Sequence, residues 1–309
     1  LVERYLPSRW LTIARMDHGR IVRHFLSLAM IGLTAWIGLQ LLAMFGGIAP
    51  GSGRAAWWTA LIVLSPPLLS HSFLFFTEIL SAAIALWVFV LLRRPSLGRW
   101  EAALAGAASG YLLLVHARNA GLVAALIVVG VLRLRRPPGP RASLVWFVAG
   151  AAAMAAVRAL VTYHFWGTWI STPHARFDTT IGFGPGVLEA VTRLLGWLVD
   201  QEHGLLPYAP VWLLLPFGWW ALWRRDRALC LDLSLVAFAY VGVMALPWLN
   251  THGWRGGWSP AARFLVPVMP FFAVMMFAAV TTWTRAPWAV RALVAVQIVV
   301  NIVLWQQPK

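Results

Sequence analysis

Charged side chains are scarce in this sequence. Asp, Glu, Lys and Arg make up 11% of its 309 residues, against 61% hydrophobic, which is too little polar surface to cover a water-soluble domain of that length. Lipid must therefore act as the solvent for much of the chain. Cysteine is nearly absent: Cys230 stands alone in an apolar run, which excludes an intramolecular disulfide and, without neighbouring His or Cys, a zinc site. There is no Gly-rich phosphate loop followed by Lys and no zinc-protease or serine-hydrolase motif, which argues against an ATP-driven machine.

Acids are the rarer charge, 10 against 25 basic residues, for a net charge of +15. In a soluble protein that balance would point to nucleic acid. Here most arginines fall in short gaps between apolar segments, where the positive-inside bias accounts for them, so no nucleic-acid partner is expected. The chain opens at Leu1 with no short signal-peptide pattern, which reads as a missing N-terminal part.

Apolar windows with few charges lie at about 22–46, 56–71, 73–92, 100–115, 119–132, 143–164, 208–223, 228–248, 263–283 and 287–306. The shorter ones are only about 14 to 16 residues long, short for a full span. Clusters at Arg93-Arg94, Arg133 to Arg141, Arg224 to Arg227 and Arg285 follow every second crossing and read as cytoplasmic. One segment resists the alternation: the first 23 residues hold Arg4, Arg9, Arg15, Arg20 and Arg23, yet alternation places them outside. The loop from about 165 to 207 is the one long connection, and Val187, Val191, Leu194, Leu195 and Leu198 recur in it at helical spacing, predicting an amphipathic helix on the membrane surface.

The expected fold is thus all-α, a polytopic transmembrane bundle of about ten helices. It comprises a first helix group over 22–164, an outer loop over 165–207 with its interfacial helix, and a second group over 208–309. The expected location is the cytoplasmic membrane, with a periplasmic or extracellular working face. Twenty tryptophans, many flanking the windows, suit interfacial anchoring.

The ionisable groups are sorted by face. All eight histidines, and seven acids (Glu3, Asp17, Glu78, Asp178, Glu189, Asp200 and Glu202), fall at ends or loops assigned to the outside. A passive anchor has no reason for that asymmetry, whereas an outer cavity doing acid, base or phosphate chemistry has one.

Glu78 follows His71 and stands just before an apolar helix, where a carboxylate is costly without a partner or a task. The alternative is a first-turn acid that favours the helix dipole. Pro66-Pro67 upstream breaks the preceding helix and opens room for a cavity. His116-Ala117-Arg118-Asn119 interrupts two apolar runs, and Arg118 offers a permanently charged fork for a lipid phosphate, or else marks a polar turn.

Asp200, Glu202 and His203, followed by Tyr208, offer oxygen and nitrogen donors for a divalent cation or a sugar hydroxyl, with capping as the alternative. His252, Arg255, Trp258 and Arg263 surround a glycine-rich outer loop in which tryptophan stacks on sugars and arginine neutralises phosphate, unless it is an interfacial turn.

Ser65-Pro66-Pro67 with Thr77-Glu78, Asp200 to Pro210, and Gly256-Gly257-Trp258-Ser259-Pro260 with Arg263 and Pro267 together resemble motifs of the GT-C superfamily of membrane glycosyltransferases. The likeness is to its branch of protein O-mannosyltransferases and lipid A aminoarabinose transferases. Thr77 stands where proline is common in that branch. The resemblance implies transfer of a sugar from a polyprenyl-phosphate carrier to a glycan, lipid or protein acceptor on the outer face, with a carboxylate as general base. Mg or Mn is a candidate cofactor. It also implies that the principal catalytic acids lie in a large first outer loop, of which Glu3 and Asp17 would be the remnant. The competing classes are a lipid or small-molecule transporter or flippase, and a non-catalytic membrane subunit.

Overall fold

A computed structural model describes residues 18–51, 53–135, 141–169, 186–246, 259–282 and 287–306. Every described element is helical. The α-helices are α1 (His18–Ile48), α2 (Arg54–Val63), α3 (Leu68–His71), α4 (Thr77–Leu92), α5 (Arg99–Val115), α6 (Ala120–Leu134), α7 (Arg141–Trp166), α8 (Gly186–Val199), α9 (Leu215–Arg225), α10 (Arg227–Ala245), α11 (Met269–Thr282) and α12 (Pro287–Gln306). Short 3-10 turns at Ala117–Asn119, Pro210–Leu214 and Arg263–Val268 lead into α6, α9 and α11.

Five segments are long and apolar enough to cross a membrane: Gly19–Ile48, Ala117–Leu134, Ala142–Trp166, Arg227–Ala245 and Arg263–Thr281. The chain is therefore an integral membrane protein built as an all-α bundle. The expected window at 56–71 is not one helix. Proline has no N–H to continue the ladder, so α2 stops at Val63 and the chain turns through Pro66-Pro67 into the single turn α3. The window at 73–92 likewise starts late, at Thr77, and those at 208–223 and 263–283 enter through 3-10 turns containing Pro210 and Pro267.

The irregular backbone beside these prolines is closed by polar side chains of α12. Gln297 is fully buried; its Nε2 donates to the Tyr208 carbonyl at 3.2 Å, and its Oε1 accepts from the Val211 N–H at 3.4 Å. Asn301 Nδ2 donates to the Leu64 carbonyl at 3.2 Å and to Ser65 Oγ at 2.9 Å. At membrane depth such groups have no water to turn to, so a partner on a neighbouring helix is what makes the breaks tolerable.

Without a hydrophobic drive between helices in lipid, close backbone approach holds the bundle together. A Cβ on Gly106 would lie 1.9 Å from the Phe147 carbonyl oxygen, one on Gly150 2.1 Å from that of Ala103, one on Gly121 2.3 Å from that of Ala239, and one on Gly218 2.3 Å from that of Met275. These four glycines mark the α5–α7, α6–α10 and α9–α11 crossings. Helix α7 touches the bundle along that strip and leaves Val145, Val148, Val157 and Leu160 exposed, as a lipid-facing helix does. Arg158 lies half-buried on this peripheral helix.

Contacts at the two ends of α1 order the bundle end to end. Ser27 Oγ donates to the Phe73 carbonyl at 2.8 Å, and Arg225 donates to the Ile48 carbonyl at 2.5 Å. Helix α1 therefore runs from the Phe73 end to the Arg225 end. This places Arg20 and Arg23 at the same end as Phe73.

Candidate functional site

One end of the bundle collects the polar residues of the 66–78, 116–119 and 262–264 segments. Glu78 sits in the first turn of α4, where the helix dipole favours it, and is only 5% exposed. Its Oε1 accepts from Arg263 Nε at 2.7 Å. Its Oε2 accepts from Thr77 Oγ1 over a long 3.4 Å, leaving that oxygen with spare acceptor capacity. The Arg263 guanidinium also stacks over the Phe76 ring, 4.0 Å from its centroid.

Arg263 is delivered by a strained backbone. Ala262, immediately before it, has φ 56° in the left-handed region, which costs a non-glycine residue about 1 kcal/mol. The Ala262 N–H donates to the His203 carbonyl at 2.9 Å, and this bond pins the turn in place. The 200–208 segment is thereby stitched to the site. Trp197 and Phe264 add a T-shaped ring contact at 6.4 Å.

Arg118 reaches the same region from the 3-10 turn between α5 and α6. His116 Nδ1 accepts the Arg118 backbone N–H at 3.1 Å and starts that turn. Asn119 Nδ2 donates to Ser81 Oγ and to the Leu112 carbonyl, both at 2.9 Å, and ties it to α4. The Arg118 guanidinium lies over the Phe264 ring at 4.7 Å, within Coulomb range of Glu78, Arg263 and Tyr240. Among the described residues it has no ion pair. Two guanidinium groups thus face one carboxylate, and the cluster carries an excess positive charge in a low-dielectric setting.

His71 and Tyr240 complete the group. His71 is fully buried; its Nδ1 lies 2.8 Å from the Pro67 carbonyl and so carries the proton of that bond. Its Nε2 is buried with no hydrogen-bond partner among the described residues, beside Glu78 and Arg263. Tyr240, on α10, is a buried phenol that the sequence reading did not single out. Its only sequence signal was position, one polar ring in an otherwise apolar run.

The remaining candidates behave differently. Asp200 Oδ1 accepts the backbone N–H groups of Glu202 and His203, both at 2.9 Å, so it is a turn cap. The His203 backbone N–H, helped by that of Glu202 and by the His203 ring, holds the Asp200 carboxyl below its usual range. The Glu202 side chain is 80% exposed, 3.9 Å from His203 Nδ1. Tyr208 spends its hydroxyl on the Gln201 carbonyl at 2.8 Å. Asp17, His252, Arg255 and Trp258 lie outside the described residues. Among the described residues no three His, Cys, Asp or Glu side chains converge as metal ligands, so no step is derived through Mg or Mn.

The other end is the arginine-rich one. Asp232 on α10 accepts from both Arg93, at 3.2 Å, and Arg133. Arg93 also lies 3.8 Å from Asp226, and Arg94 pairs with Glu101 at 2.7 Å. There two arginines share Asp232 and Arg94 pairs with Glu101, while at the opposite end Arg118 has no ion pair among the described residues.

Comparison with known protein families, with curated proteins and with solved structures returns no match.

Proposed function

We propose that the chain is a membrane glycosyltransferase which moves a sugar from a polyprenyl-phosphate carrier to an acceptor hydroxyl on the outer face. The supporting observation is the cluster of Glu78, Arg263 and Arg118: one nearly buried carboxylate with a weakly engaged oxygen, and two guanidiniums of which one has no counter-ion among the described residues. A lipid phosphate supplies the missing negative charge, and the bilayer delivers its prenyl tail to that depth. In this reading the ten apolar windows are ten crossings of the cytoplasmic membrane, with the Glu78 end outside and the arginine pairs inside.

The chemistry follows from the charges. The acceptor hydroxyl gives its proton to Glu78 Oε2 as its oxygen bonds to the anomeric carbon. The bond from that carbon to the phosphate oxygen breaks, and the phosphate keeps the electron pair. Arg118, with Arg263, stabilises the charge that develops there. Arg263 orients Glu78 through Oε1 and leaves Oε2 to the proton. The apolar face of α8, where Leu188 and Leu195 are exposed while Trp197 and Arg193 are buried, lies on the lipid surface beside the site.

The test is transfer from a polyprenyl-phosphate sugar in membranes holding the full chain. Glu78→Gln lowers turnover by about 100-fold or more, Arg118→Gln weakens use of the carrier, and Asp200→Asn, a turn cap, leaves turnover near the parent value. Unaltered rates in Glu78→Gln, Arg118→Gln and Arg263→Ala would remove the site from the mechanism.

A further inference from the structure

The bundle has an open cleft of about 290 Å³ at its arginine-rich end, between the C-terminal ends of α1, α4 and α9 and the start of α10. Met44, Val90 and Leu222 make its walls apolar, and Arg93, Arg225 and Asp226 form its rim. The rim is not electrically balanced. Arg93 shares Asp232 with Arg133, two guanidiniums for one carboxylate. Arg225 donates one N–H to the neutral Ile48 carbonyl and has no ion pair among the described residues. Asp226 is partly spent capping α10, accepting the Leu229 N–H at 2.8 Å.

On the same turn, Arg224 and Arg227 lie over the Trp220 and Trp223 rings at 4.7 and 4.5 Å. Indoles carrying arginine heads are side chains suited to the boundary between hydrocarbon and head groups. Trp220 is exposed. The cleft therefore opens at head-group depth, with an apolar wall below and a positive rim above.

We infer that this cleft binds the head group of an anionic phospholipid, its phosphodiester on Arg225 and Arg93 and its glycerol and first methylenes against Met44, Val90 and Leu222. A free phosphate would meet the rim but leave the apolar wall bare, and a zwitterionic head group would bring a second positive charge to a rim already in excess. Paired charge and hydrocarbon contact select the anionic lipid.

Native mass spectrometry of the full chain in detergent reads the binding of one lipid. Phosphatidylglycerol binds at least tenfold tighter than phosphatidylcholine, and inorganic phosphate does not displace it. Arg225→Gln weakens phosphatidylglycerol at least tenfold. Gly47→Trp tests the cleft without removing a hydrogen bond, because Gly47 lines it and has nothing within 4 Å of an added Cβ. It fills the space, with the same tenfold loss and an unchanged melting temperature in lipid-free detergent. Equal affinity for the two lipids, displacement by phosphate, or full binding in a folded Gly47→Trp variant would each overturn the assignment.

Discussion

Gly106→Ala tests how the bundle is held. The added Cβ falls 1.9 Å from the Phe147 carbonyl oxygen and 2.8 Å from its carbon, where an ordinary contact begins at 3.4 Å. The Cβ methyl has no rotamer by which to escape, and the obstacle is backbone, so α5 and α7 must separate by about 1.5 Å. A gap of that size forfeits most of the dispersion energy along the strip. Phe147 cannot absorb it, because its ring is itself packed against Gly130, where a Cβ would lie 2.4 Å away. The expected cost is about 1–3 kcal/mol, read as a fall of roughly 2–8 °C in melting temperature in detergent. Gly32→Ala is the control, since nothing lies within 4 Å of a Cβ there. If Gly106→Ala melts with Gly32→Ala, close backbone contact is not what fastens α7.

Asp232→Asn leaves Arg93 and Arg133 without their shared carboxylate and should destabilise the bundle by about 3 kcal/mol, measured by denaturant unfolding in micelles. Unchanged stability in Asp232→Asn would refute that network. Gln297→Leu strands the Tyr208 carbonyl and the Val211 N–H and should cost about 1–3 kcal/mol. Faster proteolysis at the 208–211 turn reports it, and unchanged cleavage would count against the α12 closure. Asp200, whose carboxyl is held below its usual range by the His203 N–H, stabilises its turn fully above the ordinary carboxylate pKa. That contribution is lost as pH falls through the lowered value. The melting gap between the parent and Asp200→Asn should therefore be present at pH 7 and shrink on strong acidification. A gap independent of pH would refute the charged cap.

Hydropathy is local, and so the positions of the helices were legible. The helical spacing of Val187, Val191, Leu194, Leu195 and Leu198 falls within α8, and every apolar window holds helix. Breaks were half legible. Pro66-Pro67 announced an interruption, but that break is closed by Asn301 and the unwound entry at Pro210–Leu214 by Gln297, both far along the chain. Gly106 and Gly110, four apart, form a small-residue pattern that lets helices approach, and the sequence reading did not single it out. Only the fold identified the backbone it meets.

Residue chemistry marked Glu78, His71, Arg118 and Arg263 as candidates without saying which would meet. Glu78 and Arg263 are 185 residues apart, and what joins them is packing of the Arg263–Val268 turn against α4. The same packing left Asp200 as a cap, turned Tyr208 to its own loop and brought in Tyr240. What the amino-acid order determined alone was which stretches lipid would accept, because transfer from water is a sum over neighbouring residues. Which charges share a site was decided by tertiary structure, because a buried ion needs its partner in space, and closeness in space is not written in sequence distance.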